Sequence, residues 1–214
     1  MLAFFKSLWI KVVSWFAKKQ ETEKPKVESD FIKYSLEWYA WKYENAKILL
    51  EYKSQVEFAI NKIVKNKDRY AAIAKILKIP WEIVAAIHWR ESSCNFDTCL
   101  HNGDPLPGPT VNVPKGRGPF SSWEDAAIDA LVLEGISEMK QEERIGAWLK
   151  WIEAYNGLGY QKYHSEQLSP YIWAQTDACN ARGYYTADGK YSSEALANVY
   201  PGCVAILKVL ERHK

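Results

Sequence analysis

Glu91 occupies a place in the sequence where a carboxyl could serve as a general acid. It falls one helical turn beyond Ile87 and two beyond Ile83. That puts it on or beside the apolar stripe of Ile83, Val84, Ala86 and Ile87, near the C-terminal end of a helix expected from Trp81 to Ser92. A carboxylate there is poorly solvated and feels the negative end of the helix dipole, and both effects lift its pKa. A lifted carboxyl keeps its proton near neutral pH and can deliver it to a leaving oxygen, such as that of a glycosidic bond. Position alone equally allows a solvated glutamate paired with Arg90, the commoner fate of helical glutamates.

A partner carboxylate is available in the turn His101-Asn102-Gly103-Asp104-Pro105-Leu106. An inverting glycosidase needs two carboxyls roughly 6.5–9.5 Å apart, and a hairpin after the Glu91 helix could bring Asp104 there. The competing reading is a turn aspartate that satisfies backbone N–H groups, because Asn-Gly-Asp-Pro is turn chemistry in its own right. His88 precedes Glu91 by one helical turn. It either faces a cleft beside the acid or packs as a satisfied core histidine. The set of His88, Glu91, His101 and His164 matches no zinc spacing and the H-E-x-x-H pattern is missing, so neither metal nor cofactor is expected. Ser92 and Ser93 lack the strand-to-helix elbow of a serine nucleophile.

Helices must position these groups. From Phe31 to Lys67, Ile32, Leu36, Tyr39, Tyr43, Ala46, Leu50, Lys53, Val56, Ile60 and Ile63 recur at three- and four-residue steps, which predicts one long helix or two with a bend. Residues 68–78 continue as a short helix. Pro80 suits the first turn of the next one. Residues 93–121 are rich in Gly, Pro, Asn and Asp, which predicts loops and a small β-hairpin. Ser122 can cap a helix to about Met139, with Asp125 completing an imperfect capping box. A helix from Glu142 to Tyr155 should stop at Asn156-Gly157. Residues 157–192 read as irregular, and a last helix is expected over Ser193–Arg212, broken at Pro201-Gly202. The fold class is therefore mainly α, with a small loop or β region after the Trp81 helix.

The ends of the chain differ from its middle. Residues 2–17 are apolar and aromatic but interrupted by Lys6 and Lys11, which fits an interfacial amphipathic helix better than a spanning one. A helix docked on the domain or on a partner is the alternative. Residues 18–30 are charged, contain Pro25 and read as a linker, leaving 31–214 as one domain. In the 214 residues, 25% are charged and 48% hydrophobic, with a net charge of +2, which excludes wholesale disorder, a multi-spanning membrane protein and a strongly basic nucleic-acid binder. Ten Trp and thirteen Tyr are unusually many. They fit either a core of large side chains or a carbohydrate cleft, since sugar C–H faces stack on aromatic rings. The four cysteines (Cys94, Cys99, Cys179, Cys203) could pair locally as 94–99 and 179–203 or remain buried thiols.

Two motifs carry a resemblance. His88-Trp89-Arg90-Glu91-Ser92-Ser93 with Asn95-Phe96, and later Glu153-Ala154-Tyr155-Asn156-Gly157, resemble the helix-end Glu-Ser and Ala-Tyr-Asn motifs of soluble lytic transglycosylases and goose-type lysozymes. Asn102–Leu106, Gly116–Trp123 and Ser169–Trp173 extend the likeness to lysozyme-family proteins of phages and bacteria, over about residues 70–210. The resemblance implies a lysozyme-like α+β globule. It also implies a peptidoglycan glycosidase, muramidase or lytic transglycosylase, that cleaves β-1,4 bonds between N-acetylmuramic acid and N-acetylglucosamine with Glu91 as acid. Phage-type lysozymes place an Asp and, after five intervening residues, a Thr beyond such a Glu, which implies that Asp104 positions a water and Thr110 helps to hold it. Ser92, His88, Asn102, Tyr155, Asn156, Tyr160 and Tyr171 would then line the substrate site, with Tyr163 and Trp173 in the same aromatic platform. The Gly-Leu-Met-Gln signature of lytic transglycosylases is replaced by Gly116-Arg117-Gly118-Pro119-Phe120, so hydrolase and transglycosylase products both stay open. A chitinase-like hydrolase and a non-catalytic, membrane-tethered wall-binding protein are the other readings. The expected partners are glycan strands and, through residues 2–17, a membrane surface. The expected state is a monomer in the cell envelope or a phage product delivered to the host wall.

Overall fold

The computed structural model describes residues 26–140, 143–187 and 189–213. The expected amphipathic helix over 1–17 and most of the charged stretch 18–30 lie outside the described residues. The end of that stretch is no free linker. Residues Glu28–Asp30 form a 3₁₀ turn, and Glu28 accepts hydrogen bonds from Trp38 Nε1 at 3.2 Å and Lys42 Nζ at 2.9 Å.

Nine α-helices and one small antiparallel sheet make up the described chain: α1 (Leu36–Asn45), α2 (Lys53–Lys65), α3 (Lys67–Leu77), α4 (Trp81–Ser92), α5 (Trp123–Leu133), α6 (Ile145–Asn156), α7 (Gly159–Tyr163), α8 (Pro170–Trp173), β1 (Arg182–Ala187), β2 (Lys190–Leu196) and α9 (Cys203–Leu210). The long helical reading of 31–67 is broken between α1 and α2. There Ile48 bridges to Thr176, and Leu49 N–H donates to the Gln175 carbonyl at 3.0 Å, so tertiary pairing outweighs the helical period. Of the expected stripe, Tyr39, Tyr43, Ala46, Val56, Ile60 and Ile63 are buried, while Ile32, Leu36 and Leu50 are exposed.

Helix α4 is the centre of the molecule. The sequence suggested one apolar stripe, but residues 82–89 are all buried, as befits a helix packed on several sides. Helices α3 and α9 pack against it, α9 also touches α2 and α8, and α1 lies along α6. Ser122 caps α5 through the Asp125 N–H, as its position predicted. That helix stops at Leu133, short of Met139, before Gly135 turns at φ +77°. Helix α6 ends at Asn156 with Gly157 at φ +95°.

Two expectations about β structure exchange places. Residues 93–121 hold isolated bridges, Thr98 with Pro105 and Gly108 with Phe120. The hairpin lies instead at 182–196, with Tyr184 opposite Ser192 and Tyr185 opposite Tyr191. The last helix therefore does not begin at Ser193, which belongs to β2. All four cysteines are free thiols, so neither local disulfide is formed.

Candidate active site

Glu91 stands in the last turn of α4. Ser93 and Cys94 follow it in the left-handed region, at φ +53° and +58°, and their N–H groups return to the carbonyls of Trp89 and His88 at 2.9 and 3.4 Å. Two consecutive non-glycine residues in that conformation are costly, and such strain gathers at functional sites. The turn stops the helix at Ser92, one residue after Glu91, whose side chain is exposed.

The carboxyl is exposed yet closely walled. Tyr171, buried in α8, donates its hydroxyl to Glu91 Oε1 at 2.6 Å. Tyr155 lines the same cavity as Glu91. Desolvation raises the Glu91 pKa, and the Tyr171 hydrogen bond and the Arg90 charge oppose that rise. The opening to solvent limits the size of the effect but not its direction. With Tyr171 on Oε1, Oε2 is left to carry a proton.

Two cavities flank this carboxyl. The smaller, about 200 Å³, is lined by Glu91, His101, Pro114, Glu134, Tyr155 and Asn156 among others. The larger, about 430 Å³, is lined by Arg90, Tyr160, Tyr163, Tyr171, Tyr184 and Tyr185 together with Asn156. Asn156 at the α6 end borders both. Glu91 belongs to the first, and the tyrosine that holds it belongs to the second. Glu91 therefore lies in the smaller of two neighbouring lobes that share Asn156, and the larger lobe forms an aromatic arm. The hairpin walls that arm and is tied to α7, where Tyr185 N–H donates to Tyr160 Oη at 3.4 Å and Tyr160 Oη to the Gly183 carbonyl at 3.5 Å. Arg90 reaches the carbonyls of Tyr200 and Pro201 at 3.3 Å, and its guanidinium lies 5.1 Å from the centre of the Tyr171 ring.

The structure brings Glu91, Tyr155, Asn156, Tyr160 and Tyr171 together around these two lobes, with Tyr163 on the larger one. It uses the other sequence candidates differently. Asp104 is buried by its own loop. Its Oδ2 accepts the N–H groups of Val111 and Asn112 at 2.8 and 2.9 Å, and its Oδ1 accepts Asn112 Nδ2 at 2.5 Å. The Asn112 N–H bond is the chief cause that holds its pKa low. Thr110 is buried, donates to the Pro114 carbonyl and accepts from Arg117 N–H at 2.9 Å. Asn102 accepts the Asp104 N–H at 3.0 Å. These three organise the 102–117 loop, and neither Asp104 nor Thr110 borders the two lobes. Ser92 Oγ accepts the Asn95 N–H at 3.3 Å and serves the turn after α4.

His88 is fully buried, not in the cleft. Its Nε2 lies 3.0 Å from the Asn95 carbonyl, which can only accept, so that nitrogen carries the hydrogen and Nδ1 accepts the Tyr70 hydroxyl at 3.0 Å. Desolvation lowers its pKa to about 4. Trp173, also fully buried, packs edge-on against Trp38 at 6.1 Å and is core rather than platform. Glu153, in the Tyr-Asn motif, is buried beneath the site, where Tyr39 donates to it and desolvation lifts its pKa.

Sequence reasoning missed Glu134 and the tyrosines of β1, and weighed His101 only as a metal ligand and Arg90 only as a partner for Glu91. Only the Tyr184-Tyr185 pair carried a signal, as two adjacent aromatics in a segment read as irregular. No protein family, curated protein or solved structure matches the chain.

Proposed function

We propose that the protein is a glycosidase that cleaves β-1,4 links in peptidoglycan, with Glu91 as the general acid. The observation that carries this reading is a helix-end carboxyl, bonded by a buried tyrosine and pushed towards its protonated form, in a lobe that shares Asn156 with a larger tyrosine-lined one. A groove of two adjoining lobes suits a polymer that extends beyond the acid, and its tyrosines suit sugar faces. The Glu-Ser and Tyr-Asn helix ends follow the pattern of lytic transglycosylases and goose-type lysozymes, so a lysozyme-like core is part of the proposal. Tyr171 would hold Oε1, Oε2 would protonate the glycosidic oxygen, and Asn156 would steady the sugar between the lobes. The site of action would be the cell envelope. No helix among the described residues is long and apolar enough to cross a membrane.

The test is the isosteric variant Glu91→Gln, assayed by turbidity loss of permeabilised bacteria and by mass spectrometry of digested peptidoglycan. Loss of a general acid should lower turnover by about 10²–10⁴-fold. An anhydro end would mark a transglycosylase and a reducing end a hydrolase. Full activity of the variant would refute the assignment, and pulldown by insoluble peptidoglycan without cleavage by the wild type would identify a wall-binding protein.

A further inference from the structure

The smaller lobe holds a second arrangement. His101 lies in its wall with a side chain only 1% exposed. Its Nε2 is 2.8 Å from Asp129 Oδ2, and Arg117 grips the same carboxylate from the other side, with Nε at 2.8 Å from Oδ2 and its Nη2 on Oδ1. The Arg117 hydrogen bonds hold Asp129 in its ionised form. A carboxylate only accepts, so Nε2 carries a hydrogen, and in the neutral ring Nδ1 is the nitrogen with the lone pair. Phe120 stacks on the ring, with centroids 5.4 Å apart, and fixes its plane. Nδ1 is buried and has no hydrogen-bond partner among the described residues. A buried acceptor without a donor is rare in folded proteins. Here it belongs to a ring oriented by a third group and set in the wall of the cavity that contains Glu91.

We propose that His101 is the general base that acts opposite Glu91, with Asp129 and Arg117 as its positioning residues. This rests on the reading of Glu91 as the acid. As the C1–O bond breaks, the Glu91 carboxyl gives its proton to the departing glycosidic oxygen. A water on the far face of the sugar bonds to C1 through oxygen and gives one proton to His101 Nδ1. The imidazolium then loses that proton to solvent, and the Glu91 carboxylate takes one up, which restores both groups with no net gain or loss. Nδ1 has no exposed surface in the empty site, so the step requires the ring to shift towards the lobe when substrate fills it, in keeping with the way hydrogen bonds of an empty site tighten on binding. Glu134 borders the same cavity, but its side chain is exposed and no hydrogen bond among the described residues holds it.

Azide separates base from acid, because it attacks C1 without a proton to lose. The variant His101→Ala should lose roughly 10²-fold or more of its turnover on peptidoglycan fragments. Added azide should restore cleavage and give a glycosyl azide visible by mass spectrometry. His101→Gln, which can still bond Asp129 and fill the slot, should behave alike and decides the matter if the alanine variant does not fold. Glu91→Gln should be inactive with or without azide, since the sugar leaving group still needs its proton. Turnover of the folded His101 variants within tenfold of wild type, or no azide product from them, overturns the proposal. So does azide rescue of Glu134→Gln in their place. An active Glu91→Gln would instead sink the reading on which the proposal rests.

Discussion

Desolvation acts on two titratable side chains of α4 with opposite consequences. It favours the neutral form of both His88 and Glu91, which lowers the first pKa and raises the second. In the unfolded chain His88 takes up a proton as the pH falls through 6.5, while the folded state resists until about 4. Its contribution to stability is therefore complete above 6.5 and is lost between 6.5 and 4, a difference of about 3 kcal/mol at 1.36 kcal/mol per pKa unit. Glu91 and Glu153, whose pKa values are raised, work the other way, because acidification relieves them. A comparison of wild type with His88→Gln by urea unfolding at pH 7 and pH 4 isolates the histidine. The gap between the two proteins should narrow by about that amount at the lower pH, and a gap independent of pH would show that His88 is not held neutral in the fold. Residue roles were legible in sequence only where local. The Asn-Gly-Asp-Pro turn chemistry of Asp104 could be read directly, and the structure adopts it. The pairing of His101 with Asp129 gave no signal, because Asp129 lies in another element and no spacing rule connects them.

Helix ends were legible for the same reason. Ser122 before α5, Pro80 before α4 and Gly157 after α6 each act on backbone within a few residues of themselves. The break at 46–52 and the hairpin were not, because both depend on distant partners. Ile48 needs Thr176, and β2 is anchored through Tyr191, which bonds Gln167 and stacks on His164. Residues 193–196 read as the start of a helix when those contacts are unknown. The frame that holds Asn156 in place depends on a similar approach. Gly146 in α6 lies so close to α1 that a Cβ would overlap the Leu36 carbonyl and crowd the Ala40 nitrogen at 3.2 Å. Both obstacles are backbone and cannot rotate aside. Gly146→Ala should therefore cost about 1–3 kcal/mol, read in calorimetry as a Tm lower by roughly 2–4 °C per kcal/mol for a chain of this size. An unchanged Tm would mean that α1 and α6 can separate freely, and that the frame beneath Asn156 is softer than its packing indicates.

At the scale of the whole molecule, the groove is assembled from segments far apart in sequence. Its acid comes from α4, its junction from α6, the hydroxyl that holds the acid from α8, and the aromatic arm from α7 and the hairpin. The larger lobe is lined by five tyrosines and the smaller by Tyr155 alone, so the two lobes should contribute differently. The small lobe, which contains Glu91, His101 and Glu134, should favour chemistry, and the large one should hold chain. Tyr184 tests this division, because it is half-buried, lines the large lobe and takes no part in the ring packing among Tyr160, His164, Tyr185 and Tyr191. Loss of one sugar–aromatic contact worth about 0.5–1.5 kcal/mol should raise KM by roughly two- to tenfold. Tyr184→Ala should show that rise on glycans long enough to fill both lobes, with kcat nearly unchanged and little effect on fragments that reach only the small one. A fall in kcat on short fragments would instead mean that the hairpin controls the geometry at Glu91, and that the two lobes act as a single site.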